Sequence, residues 1–206
     1  RMQMVVCTGA LGISPLLSRT LGDLHIPFPT LHLELVHGCG MSAERWLLER
    51  QGEMVFSWGE FRQLPKEIGI KNICTRGCAV LMSQDDPLAA SNHLSCTMLR
   101  ERSFILPTAQ DEEFARHYRR LLEELNLSAS GNLIAQDSDS LFFMIRAGMG
   151  MALVPQGIFD AEPQGMAVRP LDDAGAFGSW KVLYRREDTL RPLKHLLGIL
   201  EEKYVD

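Results

Sequence analysis

Apolar positions along the chain switch repeatedly between a two-residue and a 3.6-residue period, the pattern of alternating strands and helices. Residues 2–7 predict a buried strand and residues 8–12 a turn of small residues. Ser14-Pro15 then opens a helix: Ser14 can cap its first amides, and Pro15 sits where a missing N–H is harmless. Leu16, Leu17, Leu21 and Leu24 share one face of that helix, and Ile26-Pro27-Phe28-Pro29 ends it. Leu31, Leu33 and Leu35 alternate with polar residues, predicting a second strand over 30–37 closed by Gly38-Cys39-Gly40. A helix over 42–50 carries Trp46 and Leu47 inward and stops at Gly52, read as the left-handed residue after it. A third strand follows over 54–58. Three strands separated by helices imply right-handed crossovers and a parallel sheet, whose ligands lie at the carboxyl ends of the strands.

Beyond Pro65, strands are predicted over 70–74 and 78–83, a turn over 84–87, and then a second strand-helix series. It comprises a strand over 103–106, a helix over 111–125 with Phe114, Tyr118, Leu121, Leu122 and Leu125 on one face, and a strand over 133–136. A helix capped by Ser138 or Asp139 runs to 147, and a strand over 149–154 ends at Pro155. Strands near 165–170 and 180–185 and a helix carrying Leu190, Leu193, Leu197, Leu200 and Tyr204 complete the chain. The whole is an α/β fold.

Composition narrows the function. With 206 residues, 46% hydrophobic and 23% charged, the chain has material for one large domain or two small lobes with a real core. A formal charge of −5 disfavours direct binding to DNA or RNA. No run nears the roughly 18 apolar residues of a membrane span. Cys7, Cys39, Cys74, Cys78 and Cys96 fit neither a zinc spacing nor a CxxC pair and read as reduced thiols of a cytoplasmic protein. The chain enters strand-like sequence directly at Arg1-Met2-Gln3-Met4, as if cut from something longer.

Catalytic signatures are scarce: no GxSxG, HExxH, Walker or kinase motif occurs. Gly148-Met149-Gly150 sits between a helix and a strand, the reverse of a dinucleotide fingerprint, and reads as close backbone packing at a helix end. The six histidines lack metal spacing, so neither a metal nor a cofactor is expected. Cys74 and Cys78 could form a thiol switch, but their strand-like flanks favour small buried residues. The turn of Thr8 to Gly12 before a helix offers amides and a positive helix end to a carboxylate, and is equally explained as a plain connection.

Four blocks bear a family likeness. Gly9-Ala10-Leu11-Gly12-Ile13-Ser14-Pro15-Leu16-Leu17 is followed by Phe28-Pro29-x-Leu31-x-Leu33-x-Leu35; Gly52-Glu53-Met54-Val55-Phe56 comes next, then Asp86-Pro87-Leu88-Ala89. The most specific is Ile145-Arg146-Ala147-Gly148-Met149-Gly150-Met151-Ala152-Leu153-Val154-Pro155. In order and spacing they resemble the effector-binding domain of LysR-type transcriptional regulators over nearly the whole chain. Met54 and Asp86 depart from the family's usual Asp and His.

The resemblance implies a two-lobed, type II periplasmic-binding-protein-like α/β fold, each lobe a mostly parallel sheet flanked by helices. Lobe I is expected over 1–74 plus 169–206 and lobe II over 75–168, with crossovers near Cys74 and Val168. A winged helix-turn-helix outside this chain would supply DNA binding. An effector in the inter-lobe cleft is expected to meet Thr8, Gly9, Ala10, Leu11 and Ser14; Gly38, Cys39 and Gly40; and Ser57 and Trp58. The second lobe would offer Leu106, Pro107 and Thr108, then Gln136, Ser138 and Asp139. The implied partners are a small-molecule effector, expected to be an organic acid, and a second copy of the chain. The resulting homodimer, a tetramer at full length, would pack the 15–24 helix of one copy against the 111–125 helix of the other. If the Thr8 hydroxyl holds the acid, Thr8→Ala should weaken binding by roughly 1–3 kcal/mol. The competing readings are a periplasmic solute-binding protein of the same fold, which the odd cysteine count opposes, and an enzyme relying on Cys39, Asp137 or Asp139.

Overall fold

The computed structural model describes residues 2–12, 14–107 and 111–204. Its elements run β1 (Gln3–Thr8), α1 (Pro15–His25), β2 (His32–His37), α2 (Ala43–Leu48), β3 (Met54–Ser57), β4 (Ile68–Ser83), β5 (Ser103–Pro107) and α3 (Glu112–Glu124). They continue with β6 (Ser128–Ala135), α4 (Ser138–Arg146), β7 (Ala152–Pro155), β8 (Met166–Pro170), β9 (Ala176–Arg185) and α5 (Arg191–Tyr204). Short 3-10 turns cover Pro87–Ala90 and Cys96–Leu99. Two compact units emerge: unit 1 holds residues 2–74, 111–113 and 179–204, and unit 2 holds 75–107 and 114–178.

In unit 1, β1 pairs in parallel with β2 and with β3, so that Thr8 lies beside His37 on one side and Phe56 on the other. β9 then runs antiparallel to β3, from Met54 opposite Tyr184 to Ser57 opposite Lys181, and makes the sheet mixed. Side chains alternate across a strand. Cys7 and Val55 therefore share one face, packed with Ala43, Trp46, Leu47, Ile68 and Leu183. Met4, Val6 and Phe56 take the opposite face, all fully buried, with Phe56 stacked on Trp180 at 4.9 Å. α1 begins as its sequence dictates: Ser14 is extended, its hydroxyl accepts from the Leu17 amide, and Pro15 follows at the first helical position.

Gly52 has a different role from the one expected. The left-handed residue after α2 is Arg50, at φ 56°, while Gly52 is required because the Trp46 ring and the Val5 carbonyl occupy the space of any side chain there. Arg185, only 4% exposed, secures the same corner by donating to the Leu47 carbonyl at 2.7 Å and the Gly52 carbonyl at 2.6 Å, and it pairs with Asp188.

In unit 2, β5 and β6 are parallel, and Met151 extends the ladder by exchanging bonds with Ser103 and Ile105. β4 pairs antiparallel with both β7 and β8. The two strands expected over 70–83 are one continuous strand of 16 residues. Where β4 passes the expected gap, the Gly77 carbonyl accepts from the Gln156 amide and the Cys78 carbonyl from the Gln156 side chain. Because β8 pairs with β4 along Ala79 to Ser83, residues 166–170 stay in unit 2. The chain therefore returns to unit 1 between Gly178 and Ser179, inside β9, instead of near Val168.

α3 buries Phe114, Tyr118, Leu121 and Leu122, and the Tyr118 hydroxyl accepts the Leu153 amide at 2.9 Å. α4 is capped by Asp137, one residue before the predicted pair; its extended backbone lets the carboxylate accept the Ser140 amide at 2.7 Å. Gly148 takes the left-handed conformation just after α4, at φ 71°, and Gly150 lies flush against the Ser103 carbonyl and Ile105. These contacts account for the Gly-x-Gly pair without a nucleotide.

Arg185→Ala should lower the unfolding free energy by about 3 kcal/mol, because it strips bonds from two buried carbonyls and leaves the half-buried Asp188 and Glu53 without their cation. Urea denaturation reads this directly; a loss below about 1 kcal/mol would mean that water replaces the guanidinium without penalty.

Candidate functional site

Parallel strands end at a common edge, and β1, β2 and β3 bring Thr8 to Leu11, Gly38 to Gly40, and Ser57-Trp58 to the carboxyl ends of neighbouring strands. Local bonds close this edge. The Gly9 amide donates to the Phe56 carbonyl at 2.9 Å, Gly12 to Gly9 at 3.1 Å, and Gly38 to the Thr8 carbonyl at 2.8 Å. Gly38 and Gly40 adopt φ of 75° and 67°, which carries the chain out of β2 around Cys39. Leu11 is buried and left-handed, at φ 55°.

Three of the predicted residues, Gly9, Cys39 and Ser57, line one small cavity together with Met41, Ala43, Val55, Asp111 and Glu113. It leaves about 10 Å³ for the centre of a water molecule, roughly one water's worth of room. The Asp111 carboxylate lies directly over Gly9, where any side chain would strike it. Ser57 donates to Asp111 Oδ2 at 3.2 Å while its own oxygen accepts the Gly59 amide at 2.9 Å. Cys39 Sγ is 2.9 Å from Cys7 Sγ. The Cys7 contact, burial and the nearby Asp111 and Glu113 carboxylates together push the Cys39 thiol far above its ordinary range. That is a protonated sulfur and the opposite of what a nucleophile needs.

Thr8 and Ser14 each have partners within unit 1. The fully buried Thr8 hydroxyl lies 3.3 Å from His37 Nδ1 and 3.5 Å from the Val36 carbonyl, and the Ser14 hydroxyl caps α1. Thr8→Ala therefore disturbs the β1–β2 junction as well as any effector contact of this hydroxyl. Ala10, Gly40 and the buried Trp58 complete the predicted set in unit 1.

In unit 2, Leu106 and Pro107 end β5, and Gln136, Ser138 and Asp139 follow β6 into α4, with Gln136 and Asp139 exposed. Thr108 lies outside the described residues. Among the described residues no three His, Cys, Asp or Glu side chains are grouped to hold a metal, and no helix is long and apolar enough to cross a membrane.

Two alternating strand-helix units with small residues gathered at strand ends are the arrangement of the periplasmic-binding-protein-like fold. The model of the LysR substrate binding domain matches residues 4–204, and the chain belongs to that family. Solved structures agree in fold. Full-length CbnR with its target DNA superposes with a TM-score of 0.78 at 16% identity, covering 97% of this chain and 70% of that one. The effector-binding domain of QuiR in complex with shikimate gives 0.77 at 7% identity, covering 98% and 99%. The CcmR regulatory domain of Synechocystis PCC6803 with 2-PG gives 0.74 at 14%, covering 97% and 96%. No curated protein matches the chain in sequence. The chain is thus the effector-binding domain of a LysR-family regulator, with the type II periplasmic-binding-protein-like fold.

Asp111 and Glu113 are the site residues that sequence reasoning missed. Acids at the first turn of a helix are ordinary complements to its dipole, and Asp111-Glu112-Glu113 reads as nothing more until the fold sets it against Gly9 and Ser57.

Cys39 should react slowly with iodoacetamide at pH 8, and Asp111→Asn should speed that reaction by removing one of the charges that hold the proton. An unchanged rate, followed by mass spectrometry of the Cys39 peptide, would mean that the carboxylates do not control this thiol. Elsewhere burial raises Cys78 from 9.0 to about 12. The folded state holds that proton more tightly than the unfolded chain does. Its contribution to stability should therefore be intact below pH 9.0 and fade as pH rises toward about 12, as urea midpoints across that window would show.

Proposed function

We propose that this domain senses a small-molecule effector in the cytoplasm and passes the binding signal to a DNA-binding region beyond these residues. Supporting this reading is the gathering of Gly9, Cys39 and Ser57 at the carboxyl ends of three parallel strands, where open α/β sheets bind ligands. Effector contacts on this reading come from Gly9, Ala10, Leu11, Gly38, Cys39, Gly40, Ser57 and Trp58 at the strand ends of unit 1; the strand ends of unit 2 carry the remaining proposed contacts, Leu106, Pro107, Gln136, Ser138 and Asp139. The shikimate and 2-PG complexes of its relatives support a small polar effector, with organic acids the first class to test. The signal requires the effector to prefer one arrangement of the protein, since equal affinity for two shifts neither.

The domain is not an enzyme on this reading. A nucleophilic Cys39 would need a lowered thiol pKa, and its surroundings raise it. A homodimer is part of the same proposal. The edge strand β2 leaves Leu35 44% exposed, and Ile26 at the end of α1 is 79% exposed, apolar area that a second copy can cover.

Thermal-shift screening of small organic acids, amines and neutral polyols should find a stabilising compound. At 100 times its dissociation constant a ligand adds about 2.7 kcal/mol. A screen in which nothing stabilises the folded domain would sink the effector reading. Sedimentation at rising concentration should show a dimer that Leu35→Lys weakens by about ten-fold or more; a monomer throughout would remove the pairing.

A further inference from the structure

The turn after β1 already has an anion beside it. Gly9 and Gly12 spend their amides within the sheet and the turn, and the Asp111 carboxylate occupies the space that a side chain at position 9 would take. Ser57 donates to that carboxylate at 3.2 Å, and the Gly59 amide fixes the Ser57 hydroxyl from the other side at 2.9 Å. Asp111 is 9% exposed, as is Glu113, which lines the same cavity. Placing a carboxylate this deep sacrifices hydration that only specific bonds and close fit can offset.

The space confirms the fit. The cavity beside Asp111 leaves room for about one water, so no organic acid group enters while Asp111 is in place. The charge works in the same direction: a second anion here would face Asp111 and Glu113 together. Their field is already felt at Cys39, whose proton they help retain.

We infer that Asp111 is a specificity-determining residue whose tethered carboxylate fills the anion seat formed by Gly9 and Ser57, so that an effector's acid group is excluded from that seat. This rests on the reading of the strand ends as effector contacts. An effector meets this end of the site with a neutral or hydrogen-bond-donating group, and any acid it carries is held by other residues. Position 9 must be glycine for the same reason, since a methyl there would displace the carboxylate.

The test is chemical rescue. Asp111→Ala opens the seat, and acetate, titrated against chloride at equal ionic strength, should enter it. The expected result is a saturable rise in Tm for Asp111→Ala at acetate concentrations about ten-fold or more below any that move the native domain. Asp111→Asn, which keeps the seat filled without the charge, should stay as insensitive as the native domain. If Asp111→Ala folds poorly in chloride, its soluble yield on refolding in acetate against chloride carries the same comparison. Equal acetate responses of Asp111→Ala and the native domain, or none in Asp111→Ala, would overturn the inference. The readout uses acetate alone, so its failure leaves effector sensing standing, and a failed effector screen does not alter the rescue.

Discussion

Parallel alignment of β2, β1 and β3 is the constraint from which the site follows. Strands that run in the same direction end at the same edge, and each must be left through a crossover whose first residues sit at that edge. Gly9, Gly38 and Ser57 are therefore neighbours because Thr8 is in register with both His37 and Phe56. The small residues there keep the edge low, so that another segment can approach the backbone. In this molecule that segment is 111–113, which returns to unit 1 before α3 continues into unit 2.

Buried charge is handled consistently throughout unit 1. Arg185 and Lys181, 4% and 6% exposed, each donate to two backbone carbonyls as well as to an acid. Asp111 is held by the Ser57 hydroxyl and pressed against a glycine. Each such group closes a corner where the chain leaves regular structure: Arg185 the exit of α2, Lys181 the loop after β3, and Asp111 the turn after β1. Directional bonds at these corners complement the nondirectional packing of Trp46, Leu47 and Phe56, and make the loop geometry at the site unique.

Most of the elements were legible in the chain because each carries a local cause. Ser14-Pro15 caps and starts α1, and the apolar stripe from Phe114 to Leu122 marks the buried face of α3. The departures share a different origin. A glycine after a helix suggests a left-handed turn, but Gly52 is dictated by a ring from α2; the break that Gly77 suggests within β4 is bridged by Gln156; and Asp137 takes the cap that Ser138 and Asp139 are equally suited to fill. In each case the deciding atom is distant in sequence or depends on a backbone angle that several residue types can adopt.

The sequence by itself determined the alternation of strands and helices, the family blocks and the small residues at the strand ends, because periodicity, capping and glycine placement are local physics. Only the tertiary structure decided what occupies those strand ends. Thr8, placed by the sequence only at the end of a strand, has its hydroxyl 3.3 Å from His37 Nδ1 because β1 and β2 are in register. Asp111, indistinguishable in sequence from any acid before a helix, became the anion at Gly9 because the chain's return to unit 1 brought it there.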